Sequence, residues 1–263
     1  MPQVLFRNIP SGIQLSESNV SALTNSAREV AQAFAARLAA FQKVFAEARD
    51  NYSREADSIV SDANPGERAA ADRFAQQRKA SKIAEYKRSL LDNTRKERRE
   101  MLDRLARYAA EAEAIRSVNT SPAMTLGRVG LGEQRRTNLQ HQLEGAGPME
   151  LIAAARQSIL LGDVLLAAAV ATVVDRRPRD RRPFSVGEFA TRVIGVQWRA
   201  MEAKLAAVDL ARREAESAND EFERGPDPMK SIAVALARRA VAELEAAVED
   251  DSTRQDQLNA QEA

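Results

Sequence analysis

The chain has 263 residues, 44% apolar and 29% charged, the balance of a folded protein and not of a disordered one. It holds no cysteine and one histidine, which excludes disulfide frameworks, thiolate chemistry, ordinary zinc sites and histidine-based triads. A formal net charge of +1 gives the molecule as a whole no preference for polyanions.

Residues 1–15 mix Val4, Leu5, Phe6 and Ile9 with Pro2, Pro10 and Gly12, and read as an extended apolar arm. Such a segment gains free energy only by docking, so Val4, Leu5, Phe6 and Ile9 are expected to contact a partner. No basic stretch followed by an apolar one opens the chain, so no secretory signal is read. The expectation is synthesis in the cytoplasm and incorporation into a virion or another particle.

Two long runs free of glycine and proline follow, predicting helices over 16–60 and 66–117. In the first, Val20, Leu23, Ala27, Val30, Phe34, Leu38, Phe41 and Phe45 recur at spacings of three and four, one continuous stripe. At 1.5 Å per residue such a helix is about 65 Å long. In the second, the stripe includes Phe74, Ile83, Tyr86, Leu90, Met101 and Leu105, thins before Ile83 and breaks at Glu97. Asn64, Pro65 and Glu67 make a short capped turn between the runs, so residues 16–117 are expected to form an antiparallel hairpin.

Residues 118–148 read as a glycine-rich connector with one short helix near 133–143. Its Gly127, Gly130 and Gly132 resemble a phosphate loop, but the order is wrong and no strand precedes them, so the segment is read as a flexible loop. Arg128, Arg135 and Arg136 keep an anion site open there. Residues 149–250 are read as three helices. The first, 149–174, is apolar on nearly all sides with Asp163 inside it, and is expected to be buried. Asp163 is expected at a polar rim or paired with an arginine. The sixteen residues 159–174 fall short of the ~20 that span a bilayer. Arg176, Arg177, Arg179, Arg181 and Arg182 follow as candidate anion or nucleic-acid contacts. Ser185 and Glu188 form a capping box for the next helix, with Phe184 and Phe189 as a hydrophobic staple. Gly225 and Pro226 end it, and Asp227 and Pro228 open the last, where Val234, Ala237, Val241, Leu244 and Val248 repeat at heptad spacing. Residues 251–263 form an acidic tail.

No catalytic residue, metal site or cofactor is expected. His141 lies in the connector and reads as a surface histidine, and no Glu-x-x-His pair exists. The reading is therefore an all-α, non-enzymatic structural subunit that self-associates and joins other assembly proteins. Its arm, hairpin, break, apolar helix and acidic tail share their architecture with helical components of virions, secretion machines and filaments, a bacteriophage particle foremost. Two alternatives stand beside it. One is a membrane-active delivery or pore-forming protein that inserts residues 150–174. The other is a nucleic-acid-packing protein using residues 78–107, which carry eleven basic and five acidic side chains.

Overall fold

The structure, a computed structural model, describes residues 17–262, with side chains described over 18–250. The expected arm, with Val4, Leu5, Phe6 and Ile9, lies outside the described residues. The fold is all-α. In order, the helices are α1 (Glu17–Ser61), α2 (Arg68–Val118), α3 (Pro122–Arg128), α4 (Gln134–Glu144), α5 (Pro148–Leu160), α6 (Val164–Arg176), α7 (Val186–Arg224) and α8 (Pro228–Glu262), with a 3-10 turn at Arg179–Arg181. The described residues divide into two compact units, one of residues 26–109 and 209–237, the other of residues 17–25, 110–208 and 238–262.

The unit of residues 26–109 and 209–237 is built on the α1–α2 pair. Glu55 meets Lys82 at 2.7 Å, Phe45 stacks on Tyr86 with ring centroids 6.5 Å apart, and Arg37 meets Glu97 at 3.2 Å. As numbers rise along α1 they fall along α2, so the two helices are antiparallel. The chain turns between them at Asn64–Glu67. The carbonyl of Glu67, not that of Asn64, accepts the first helical bond, from Ala71 at 3.0 Å, so Pro65 sits in the turn and not in the helix. The stripe of α1 is buried at Ala27, Val30, Phe34 and Leu38. Phe74, expected on the stripe of α2, is exposed, and its neighbour Ala75 is the buried residue.

Arg98 is 4% exposed in the same unit. Burying a guanidinium is costly unless its donors are used, and here all three nitrogens donate. Nε donates to Thr94 Oγ1 and Nη2 to Leu91 O, both at 3.1 Å, while Nη1 donates to Asn219 Oδ1 and Glu223 Oε1 of α7. The Phe222 ring lies 5.4 Å from the guanidinium carbon. Arg98 holds the Glu223 carboxyl below the ordinary carboxylate range through that hydrogen bond.

In the other unit α6 is the centre. Helices α3, α4 and α5 all pack on it, and its Ala167–Ala171, Val173 and Val174 are buried with Leu126, Leu151, Phe189 and Ile194. Alanines let the neighbouring backbones approach closely. Trp198 of α7 donates from Nε1 to Asn119 O at 3.0 Å, and Arg116 pairs with Glu202 at 3.4 Å, fastening the end of α2 to α7. Thr24 Oγ1 donates to Lys204 O at 3.2 Å, which does the same for the start of α1.

Three expectations are corrected here. Residues 149–174 are not one helix. Gly162, at φ 61°, ends α5: its N–H bonds Ile159 O at 3.2 Å and the Asp163 N–H bonds Ser158 O at 2.9 Å, the Schellman pattern. Asp163 is thus the N-cap of α6, accepting from Leu166 N at 3.1 Å, and it also pairs with Arg135. Residues 149–250 accordingly hold four α-helices, not three, and α8 continues through the expected tail to Glu262. In the connector 118–148 the short helix expected near 133–143 is present as α4, but the segment read as a flexible loop before it also holds a helix, α3. Ser121 caps α3, with Met124 N donating to its Oγ at 3.3 Å, and Pro122 takes the first helical position. Gly130, at φ 64°, is packed so tightly that a Cβ there would lie 2.3 Å from Leu165 Cδ2.

Candidate functional site

The side chains most disposed toward a ligand surround a cavity of about 960 Å³ beside α6. Helix α3 contributes Ala123, Met124, Gly127 and Arg128, and α6 contributes Ala171, Thr172, Asp175 and Arg176. Arg179 and Arg182 come from the 3-10 turn and its exit, and Phe184 through Gly187 from the start of α7. The packing of α3 on α6 is what brings residue 128 to residues 176–182. A second hollow of about 640 Å³ adjoins across Ala123, Ser185 and Gly187, and reaches Glu188, Thr191 and Arg192.

The cavity lining holds both basic side chains and apolar ones, the latter Met124, Phe184 and Val186. Of the five arginines expected to meet an anion, Arg176, Arg179 and Arg182 line it. Arg177 turns away and donates to Ala146 O, and Arg181 does not reach it. Arg182 is pinned: Nη1 pairs with Asp175 Oδ1 at 3.0 Å and Nε donates to Arg177 O at 3.0 Å. That pair uses the one acid of the cavity wall. Arg176 reaches Glu144 at 3.3 Å through an exposed contact. The guanidiniums of Arg128 and Arg179 have no ion-pair or hydrogen-bond partner among the described residues.

Two further features make the potential more positive. Ser185 caps α7, accepting from Glu188 N at 3.4 Å, so the N–H groups of Val186 and Gly187 open this 39-residue helix at the cavity. Behind the wall, Arg136 is 3% exposed and donates only to neutral oxygens: Gly127 O at 2.7 Å, Thr172 Oγ1 at 3.0 Å, and Val129 O. Its Nε has no partner among the described residues. Burial, and then the charge of Arg176, holds this guanidinium below its ordinary range.

The basic stretch 78–107 is less available than its sequence suggests. Arg98 is buried, and Lys82 and Arg78 both pair with Glu55, whose carboxyl is lowered by the Lys82 hydrogen bond. His141 is exposed and lies 3.6 Å from Glu144.

A second surface lies on α8. Met229, Ile232 and Leu236 are 75%, 54% and 63% exposed, and their spacing of three and four puts them on one face. The heptad positions expected to form a seam fall on another face: Val241 is buried, while Leu244 is exposed. Among the described residues no helix is long and apolar enough to cross a membrane, and no group of three or more acids and histidines is placed to hold a metal ion. No protein-family model, no curated protein and no solved structure matches the chain.

Proposed function

We propose that the protein is a non-enzymatic helical assembly subunit, one that associates with copies of itself within a larger particle of the bacteriophage-virion kind. The observation that carries this reading is the exposed row Met229, Ile232 and Leu236 on α8. Single exposed apolar residues are ordinary, but a row at helical spacing marks a surface that is covered in use. A second copy of α8 is a fitting cover. Residues 228–240 carry Lys230, Arg238 and Arg239 and no acid, while residues 241–250 carry Glu243, Glu245, Glu249 and Asp250 and no base. An antiparallel two-fold pairing of residues 228–250 places the row in the first half of each over the second half of the other, where Leu244 is exposed. Insertion of residues 150–174 into a membrane has less support, because α5 and α6 are 13 residues each, about 20 Å at 1.5 Å per residue.

Light scattering on the purified protein tests this. The wild type is expected to be a discrete oligomer. The double change Ile232→Glu, Leu236→Glu is expected to lower its mass while circular dichroism stays unchanged. A wild type that is monomeric at all attainable concentrations would overturn the reading.

A further inference from the structure

We propose that the cavity between α3, α6 and the start of α7 binds a phosphorylated small molecule, its phosphoryl group held by Arg128 and Arg179 and its apolar body against Met124 and Phe184. The inference is independent of the assembly reading. Arg128 and Arg179 both line this cavity, and neither guanidinium has a carboxylate partner among the described residues. Several arginines elsewhere are neutralised by acids: Arg98 by Glu223, Arg116 by Glu202, Arg135 by Asp163, Arg212 by Asp209 and Glu216. At the cavity the one acid, Asp175, is committed to Arg182. The buried, partly unsatisfied Arg136 behind the wall donates only to neutral oxygens. A dianion resolves this arrangement. Arginine forks match phosphoryl oxygens, and the open N–H groups at the start of α7 can donate to a third oxygen.

The apolar part of the lining distinguishes this ligand from a nucleic-acid backbone, which would need a run of exposed cations along a surface and not a cavity with Phe184 in it. A phosphoryl group can be presented by a free metabolite or by a lipid headgroup. Both share the chemistry, and the experiment separates them.

The test is titration calorimetry of the full chain with inorganic pyrophosphate at low salt. The wild type is expected to bind one equivalent. The double change Arg128→Ala, Arg179→Ala removes two exposed, unpartnered side chains, so the fold is expected to persist. Affinity should fall by at least about tenfold, equivalent to about 1.4 kcal/mol. Arg181→Ala, outside the cavity but of equal charge, should bind like the wild type. In a parallel arm, the protein is sedimented with phosphatidylcholine vesicles with and without phosphatidic acid. Pyrophosphate binding without vesicle retention assigns a free metabolite, and retention only on phosphatidic acid, lost in the double variant, assigns a lipid headgroup. Absence of binding in both arms overturns the proposal. So does an equal loss in Arg181→Ala, or a DNA duplex that binds the wild type more tightly than pyrophosphate and is unaffected by the double change.

Discussion

Arg98 shows what a single residue can conceal in a sequence. It stands in a run of eleven bases and five acids and reads as one more solvated cation. Only the approach of α7, more than a hundred residues later, makes it the anchor for Asn219 and Glu223. Truncation by Arg98→Met should cost about 2–3 kcal/mol, because Thr94, Leu91 O and Asn219 lose a donor while Glu223 keeps a route to water. Urea unfolding measures it. The pair also sets a pH dependence. The folded pKa of Glu223 is depressed relative to an unfolded value near 4.3, so its contribution is fully present above about pH 4.3 and is lost as pH falls through the folded pKa. Stability of the wild type should therefore decline more steeply in acid than that of Glu223→Gln. Parallel acid limbs for the two proteins would show that the pair is energetically idle.

Elements were legible where a polar signal and a periodic one coincide. The stripe of α1 and the turn at Asn64–Glu67 predict the antiparallel pair to within a few residues. Ser185, Glu188 and the Phe184–Phe189 contact, with centroids 5.3 Å apart, start α7 where the sequence says, and Gly225 at φ 99° ends it. The break at Gly162 was not legible. Apolar residues flank it on both sides, so hydropathy runs straight through, and the Gly-Asp pair that ends one helix and caps the next is short against it. Asp163→Ala should then cost about 1 kcal/mol as a lost cap, whereas Asp163→Asn, which keeps the acceptor for Leu166 N, should cost less. If both cost the same, the Arg135 pair and not the cap is what Asp163 supplies. The glycines of the connector were misread as flexibility. Gly130→Ala forces a left-handed residue to carry a Cβ against Leu165 and should destabilise by about 1–2 kcal/mol, with more if Leu165 cannot move. Thermal unfolding followed by circular dichroism reads both. The basic cavity was half legible: the cluster 176–182 was visible, but its meeting with Arg128 depends on the packing of α3 against α6, for which spacing in sequence gives no sign.

The two units are each assembled from separated stretches of chain. Helices α1, α2, α7 and α8 contribute residues to both, so neither unit folds without helix that continues into the other. Thermal unfolding should consequently be one transition. Fluorescence of Trp198, the single tryptophan, reports on one unit, and absorbance of Tyr52 and Tyr86 reports on the other. The two midpoints are expected to coincide, and separation by several degrees would contradict this. The same connectivity bears on how such a protein is inherited. A unit made of residues 26–109 and 209–237 occupies no continuous piece of its gene. Recombination with a single exchange point therefore never transfers one whole unit by itself. The fold is therefore expected to change by substitution along its helices rather than by exchange of whole units.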